Sequence, residues 1–225
     1  MRVFVLTSCV GTKKYSEEDV KHVLEKHNLP MPRCDLENEE KYRLVLKNFI
    51  LPASQMYQGS FESIRDMVCR YRSKGDRVEL KIISARYGLI DEEASIIPYD
   101  CTFRHLGLNK IRSQGEKLMI YEDLLKFLKS DEFYESVVVL GKDYLLTVFD
   151  RKRSINIFRH FNTKRLVVFG TKTFRKEIEF PAECLEFIPV RGIGDRNRKI
   201  REFNDRVFGA IPRNGLTMGR GRSVH

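Results

Sequence analysis

Short apolar runs alternate along the chain with segments whose apolar residues recur three and four positions apart. The runs are rich in Val, Ile and Leu and predict strands buried on both faces, at 2–7, 78–84, 136–140, 165–169 and 185–189. The segments between them predict helices, at 17–24, 60–72, 108–128 and 197–208. This alternation predicts an α/β fold, in which helices flank a mostly parallel central sheet within a single domain.

Other segments lack these patterns. The charged stretch 33–43 predicts an exposed connection, and 84–91 predicts a polar loop at the end of the second strand. A helix is expected to begin near Leu145, after a polar break. Residues 212–225, which are rich in Gly and Arg, predict a flexible tail, so the domain is expected to cover residues 1–211.

Polar segments that contain glycine follow four of the predicted strands, at 8–14, 84–91, 141–144 and 191–196. The carboxyl ends of parallel strands lie along one rim of a sheet, which is where open α/β sheets bind their ligands. We therefore expect the four segments to converge on one ligand site.

The first of these segments contains Ser8, Cys9, Lys13 and Lys14. Backbone amides beside a glycine, together with two lysines, suit a phosphate or a carboxylate, although the spacing is not that of a P-loop. Cys9 is a candidate nucleophile if the lysines lower the pKa of its thiol. The alternative is that Cys9 packs as a small apolar residue under the sheet.

The second segment and the residues that follow it are the richest in functional groups. Ser84, Arg86, Tyr87 and Tyr99 are candidate ligand-binding residues, since arginine suits bidentate recognition of phosphate or carboxylate. Two carboxylates close by, Asp91 and Asp100, are candidate catalytic groups, either as a general base or to stabilise positive charge on a sugar during glycosidic cleavage. The alternative is an Arg–Asp salt bridge that braces the loop.

Four further residues are candidates for contact with a base or a phosphate. Tyr57, just before the second predicted helix, could stack on a base, or could equally be packed in the core. Gly141, Asp143 and Tyr144 follow the third strand, and Asp143 could alternatively cap the next helix.

The fourth segment resembles an anion-binding turn at the N-terminus of a helix. It contains a Gly-x-Gly with flanking arginines, formed by Arg191, Gly192, Gly194 and Arg196. Phosphate or a nucleic-acid backbone is the expected ligand of this turn.

Charge is distributed unevenly along the chain, whose formal net charge is +10. Residues 1–150 contain 23 basic and 24 acidic side chains, whereas residues 151–225 contain 18 basic and 7 acidic ones. A basic surplus confined to one third of the chain indicates a polyanionic partner, so we expect nucleic acid to bind residues 151–213. A merely solvated basic surface is the alternative.

Several classes of site and location are excluded by composition. The five cysteines are scattered without paired spacing, which predicts reduced thiols, and the five histidines show no ligand spacing, so no metal and no cofactor is expected. No apolar run reaches the length of a membrane span, and the run at the N-terminus is too short for a signal peptide. We therefore expect a cytoplasmic protein without membrane attachment; the sequence leaves its oligomeric state open.

The order of these motifs resembles a known family. Ser8-Cys9 with Lys13-Lys14, the Pro-Ala-x-x-Met-Tyr segment at 52–57, the 83–91 segment, Pro98-Tyr99-Asp100, and the 139–144 and 189–196 segments are similar to the YaaA-like domains, a family that includes a peroxide-stress protein. A segment of archaeosine synthase, a tRNA-modifying enzyme, is similar as well. The resemblance covers most of residues 1–200 and implies a YaaA-like α/β domain, loosely similar to uracil-DNA-glycosylase folds.

What the resemblance implies about function is a nucleic-acid-associated protein that acts on a base, a nucleoside or a glycosidic bond in the modification or protection of DNA or RNA. In an enzyme of this kind Arg86 and Arg191 would hold phosphate, and Tyr57 or Tyr87 would stack on the base. Two alternatives stay open: a non-catalytic nucleic-acid-binding module of a stress response, and a hydrolase or transferase of small nucleosides or nucleotides.

Overall fold

A computed structural model describes residues 1–104 and 106–210. Its strands are β1 (Arg2–Ser8), β2 (Leu51–Pro52), β3 (Arg77–Ser84), β4 (Gly88–Asp91), β5 (Ser95–Ile96), β6 (Phe133–Val139), β7 (Phe149–Asp150), β8 (Ile155–Asn156), β9 (Thr163–Gly170) and β10 (Leu185–Pro189). Its α-helices are α1 (Glu17–Lys26), α2 (Glu39–Val45), α3 (Ala53–Met56), α4 (Glu62–Ser73), α5 (Leu108–Lys117), α6 (Ile120–Ser130), α7 (Lys142–Leu145) and α8 (Ile193–Phe208). The predicted α/β class is confirmed.

A six-stranded sheet in the order β10-β9-β6-β1-β3-β4 forms the centre of the molecule. Every neighbouring pair is parallel except β3 and β4. The central strand β1 contains four consecutive apolar residues, Val3, Phe4, Val5 and Leu6, and all four are fully buried. Because β1 has a strand on each edge and helices on both faces of the sheet, none of these four side chains faces water. This explains why its sequence is a continuous apolar run.

The two faces of the sheet can be assigned from the strand register. Phe4 contacts Phe127 of α6, whereas Phe169 contacts Phe203 of α8. Phe4 is in register with Ser136 and Leu166, and Phe169 with Val139, so the two phenylalanines point to opposite faces. Helix α6 therefore covers one face, and α8, which packs against α4, covers the other.

The chain reverses its direction across the sheet once. It runs outward from β1 to β3 and β4, and then returns across β1 to form β6, β9 and β10. The reversal places the carboxyl ends of β1 and β6 side by side, with their connections leaving in opposite directions. In open α/β sheets this point is where a crevice for a ligand forms.

Four predicted elements differ from the structure. The 84–91 segment is a hairpin rather than a loop, because Leu89 and Ile90 pair with the buried end of β3 as the antiparallel edge strand β4. The exposed connection at 33–43 contains the start of α2. The helix over 108–128 is divided at Met119, which has a positive φ of 49°. The helix expected near Leu145 begins at Lys142.

Residues 15–50 form an insertion with a small core of its own. Helix α1 begins at Ser16 with a capping box to Asp19, and its apolar side packs against α2. The buried members of this second core are Val20, Leu24, Met31, Tyr42, Leu46 and Ile97. Only Ile97 comes from outside the insertion, so the insertion needs further ties to hold it against the sheet.

One such tie is a disulfide bond between Cys34 and Cys101. The prediction that all five cysteines are reduced is wrong for this pair, because folding brings together two residues that are 67 positions apart. In the chain-entropy description, closing a loop of that length stabilises the fold by about 4 kcal/mol. Cys9, Cys69 and Cys184 are free thiols, as predicted.

The predicted tail, 212–225, lies outside the described residues, as does the C-terminal end of the predicted basic segment. Within residues 1–104 and 106–210, no helix has the length and apolar character needed to cross a membrane.

Replacement of Gly88 by alanine is expected to destabilise the fold more than the same change at Gly75. Both glycines have a positive φ, of 76° and 86°. An added Cβ at Gly88 would lie 2.8 Å from the Leu118 carbonyl oxygen, whereas no atom lies within 4 Å of one at Gly75. Urea unfolding should show a loss of about 1 kcal/mol for Gly75→Ala from backbone strain, and about 1–3 kcal/mol more for Gly88→Ala. Equal losses would contradict the close approach of α5 to the hairpin.

The disulfide predicts a specific pattern of alkylation. Iodoacetamide should modify three of the five cysteines of the urea-unfolded protein without reductant, and all five after treatment with dithiothreitol. Peptide mass spectrometry should assign the two protected positions to Cys34 and Cys101. Modification of all five without reductant would show that the bond is absent.

Candidate functional site

The carboxyl ends of β1, β3, β6, β9 and β10 form one edge of the sheet, here called the strand rim. Three of the predicted polar segments meet there directly. Cys9, just after β1, hydrogen-bonds Tyr144 beyond β6, and Ser84 at the end of β3 hydrogen-bonds Tyr99. Parts of three segments therefore meet at the strand rim, but the predicted single ligand site is not formed by all four, since only the 141–144 and 191–196 segments line the cavity described below.

Tyr57, Ser84 and Tyr99 form a buried hydroxyl cluster at the end of β3. The two phenolic oxygens are 2.8 Å apart, and the Ser84 hydroxyl lies 3.0 Å from Tyr99 Oη. Ser84 Oγ also accepts the amide N–H groups of Arg86 and Tyr87, so its own proton is directed to Tyr99. Burial raises the pKa of both tyrosines in the cluster, which keeps the phenols neutral.

Lys13 covers this cluster from the loop after β1. Its Nζ lies 4.2 Å from the centre of the Tyr99 ring and donates weakly to the carbonyl oxygens of Val10 and Gly11. Burial lowers the pKa of the Lys13 ammonium, and the nearby Cys9 and Asp100 oppose the shift. In its charged form, the Lys13 ammonium makes a cation–π contact with the Tyr99 ring.

Cys9 and Tyr144 connect the two halves of the sheet at the point where the chain reverses. Cys9 Sγ lies 3.0 Å from Tyr144 Oη, and the thiol is only 3% exposed. Thr102 Oγ1 lies 3.3 Å from the same phenol, and the Phe103 ring packs against it. Burial, and after it the nearby Cys9, raises the pKa of Tyr144.

A cavity of about 530 Å³ opens at the carboxyl ends of β6, β9 and β10, and we call it the rim cavity. Its walls are mainly apolar, and Phe149 and Phe174 meet there at an angle of 83° with ring centres 5.1 Å apart. Its polar side is formed by Lys142, Arg191 and Arg196, and Glu177 is the only acidic residue in the lining.

Arg196 is the innermost of these cations. A Cβ on Gly141 would lie 3.4 Å from Arg196 Nη1, so the glycine lets the guanidinium lie against the backbone that follows β6. Burial lowers the pKa of Arg196, and the neighbouring Tyr144 opposes the shift. Within the described residues Arg196 has no carboxylate partner, which leaves its N–H donors free for a ligand.

The other predicted residues of the 191–196 segment take part in the site through their backbone. Gly192 precedes the first turn of α8 and lines the rim cavity, whereas Gly194 lies in that turn outside the lining. The Arg191 amide donates to Asp195 Oδ2 at 2.8 Å. Asp143 is in the first turn of α7, and Gly141, not Asp143, occupies the capping position.

Arg86 does not face the rim, which corrects its predicted role as a phosphate ligand. Its side chain is fully buried and donates to the carbonyl oxygens of Arg33 and Asp35. Its Nη2 also lies 2.6 Å from Glu39 Oε2, and Tyr87 Oη donates to the other oxygen of the same carboxylate. Burial alone would lower the pKa of the guanidinium, but Glu39 outweighs it and the pKa is raised.

The two predicted catalytic carboxylates lie away from the cavity. Asp91 is 66% exposed on the edge strand β4 and pairs with Lys81 at 2.5 Å, because the hairpin turns it back from the rim. Asp100 is 57% exposed and pairs with Arg33. Lys14 is exposed, and its amide bonds the Met56 carbonyl oxygen. Asp91, Asp100 and Lys14 therefore do not line the rim cavity.

Several residues of the site were missed from the sequence. Thr102 and Phe103 follow the recognised Tyr99-Asp100 pair without a pattern of their own, while Phe149, Phe174 and Glu177 come from short turns and two-residue strands. The signal available was the aromatic content of the segments after β6 and β9. No group of three or more His, Cys, Asp or Glu side chains that could hold a metal occurs in the described ranges.

Comparison with known proteins yields no match: no family model, no curated protein and no solved structure is similar to the chain. The resemblances to YaaA-like domains and to uracil-DNA-glycosylase folds therefore stay predictions.

The buried phenols predict how the protein titrates with base. Because the pKa of Tyr57, Tyr99 and Tyr144 is raised above the usual 10, the native state holds protons there that the unfolded chain loses. The stabilisation is complete below pH 10, so the free energy of unfolding should fall as the pH rises further. Tyrosinate absorbance near pH 10 should be smaller for the native than for the urea-unfolded protein.

Tyr57→Phe is the control for this titration. It should remove one of nine tyrosines from the unfolded titration and leave the native absorbance near pH 10 unchanged. A drop in the native signal would mean that Tyr57 ionises in the ordinary range and is not desolvated.

Proposed function

We propose that the protein is nucleic-acid-associated and that the rim cavity binds one nucleotide of its ligand. The base would pack against the apolar walls, and Lys142, Arg191 and Arg196 would hold the phosphate. The observation that carries the proposal is this combination: an apolar cavity at the carboxyl ends of parallel strands, with three cations on its polar side.

The size of the rim cavity suits a nucleotide. Small-molecule sites measure roughly 300–1,000 Å³ and are mostly apolar with a few placed polar groups. The rim cavity, at about 530 Å³, is within this range. The right-angled pair of Phe149 and Phe174 offers both a ring face and a ring edge, and a planar base can pack against either.

The electrostatics of the rim cavity favour an anion. Helix α8 has 16 residues and begins at the cavity, so its N-terminal dipole adds to the charge of Arg191 and Arg196, and Asp195 in its first turn offsets part of that dipole. Glu177 is the opposing charge, and it is already paired with Arg151 at 2.7 Å. Two of the segments that resemble YaaA-like domains, 139–144 and 189–196, line the rim cavity.

Binding is better supported than glycosidic cleavage. A glycosidase needs carboxyl groups on either side of the scissile bond. Asp91 and Asp100 are paired elsewhere, and Glu177 is the only carboxylate in the lining of the rim cavity. The proposal is therefore a binding function, in which chemistry on the base has no assigned residue.

The change Arg196→Gln tests the proposal. Loss of a charge-assisted bond to phosphate costs about 1.5–3 kcal/mol, so the affinity for nucleoside 5′-monophosphates should fall about ten- to a hundredfold. Isothermal titration calorimetry with each of the four monophosphates measures the effect.

Arg201→Gln is the matched control. Arg201 is exposed on the same helix and does not line the cavity, so the same loss of charge there should change the affinity by less than about twofold. The proposal fails if the unmodified protein binds no nucleotide, or if the two variants lose affinity equally.

A further inference from the structure

A smaller pocket adjoins the rim cavity, and we call it the side groove. Its volume is about 230 Å³, and it shares Phe149 and Glu177 with the rim cavity. The rest of its lining comes from the basic segment: Arg151, Ser154, Ile155, Asn156, Arg159, Lys176 and Glu179. A ligand that fills the rim cavity therefore has a path out along this groove.

The charges of the side groove are only partly neutralised. Arg151 pairs with Glu177, and Arg159 forms a bidentate pair with Glu179 at 2.5 and 2.8 Å. Lys176 is exposed and has no ion pair among the described residues, so it is the surplus cation of the groove. The groove thus combines one free ammonium with polar side chains, whereas the rim cavity has apolar walls.

We propose that the side groove holds the sugar–phosphate backbone next to the nucleotide in the rim cavity, so that the ligand is single-stranded nucleic acid. This inference rests on the proposed function. The apolar rim cavity suits one nucleotide, and the polar side groove with its free cation suits the phosphate of the next nucleotide. A free mononucleotide would leave the side groove empty. Lys176 is the residue assigned to that second phosphate.

The shape of the site favours a single strand over a duplex. A base inside the rim cavity is surrounded by Leu145, Phe149 and Phe174 and cannot remain paired with a complementary strand. A duplex would first have to extrude the nucleotide, at a cost of a few kcal/mol. DNA and RNA both offer one sugar–phosphate backbone and one base edge for these contacts. The test therefore includes single strands of both.

The test compares ligands on the full chain. Fluorescence anisotropy should show that single-stranded oligonucleotides of about eight residues, as DNA or RNA, bind at least about tenfold more tightly than the same sequence as a duplex. In competition with the labelled strand, they should also bind more tightly than nucleoside 5′-monophosphates.

The variants Lys176→Gln and Lys172→Gln form a matched pair. Both lysines are exposed on the same helical turn, Lys172–Glu177, but only Lys176 lines the groove. Lys176→Gln should weaken oligonucleotide binding about three- to tenfold and lower the salt-dependence slope by about 0.7, the value expected for one phosphate contact on a single strand. It should leave monophosphate affinity unchanged, and Lys172→Gln should change neither.

Each contrary result has one meaning. If monophosphates bind but oligonucleotides bind no better, the groove proposal falls and the proposed function stands. If Lys176→Gln and Lys172→Gln lose the same oligonucleotide affinity, binding reflects general charge attraction. If duplex and single strand bind with equal affinity, no base is inserted in the rim cavity. Either result overturns the groove proposal. If no nucleotide of any kind binds, the proposed function itself is wrong.

Discussion

The burial of Arg86 is the interaction on which the arrangement of the rim depends. A guanidinium without water needs partners for both its charge and its N–H groups, and breaking a buried pair of this kind costs about 3–5 kcal/mol. Arg86 finds its partners in one segment, at the carbonyl oxygens of Arg33 and Asp35 and at the Glu39 carboxylate. This contact fastens the 15–50 insertion to the β3–β4 hairpin. The Cys34–Cys101 bond then fixes the strand-end segment that carries Tyr99 and Thr102.

The rim consists of two parts with different physical character. On the side of β3, hydroxyl groups are buried together and remain neutral, with Lys13 above them. On the side of β9 and β10 lies an apolar cavity bordered by cations. Tyr144 lies between the two parts, since its hydroxyl contacts Cys9 and its ring lies beside Gly141.

Sequence patterns predict the sheet well, because its buried strands must be continuous apolar runs, as at 2–7 and 165–169. They also predict that polar segments converge, because parallel strands end on one rim. They mislead where a side chain finds a distant partner: Arg86 looks like a ligand until Glu39 is placed beside it, and Cys34 looks unpaired until folding brings it to Cys101. The cavity walls were missed, since Phe149 and Phe174 lie in segments too short to show any period.

The central position of β1 has a consequence for the order of folding. The first residues of the chain pair on one edge with β3, from Arg77 onward, and on the other with β6, from Glu135 onward. During synthesis from the N-terminus, β1 must therefore wait for β3 until Ser84 has been made, and for β6 until Val139, when more than half of the chain has been made. Pairing between such distant segments is slow, and an unpaired apolar strand is prone to aggregate.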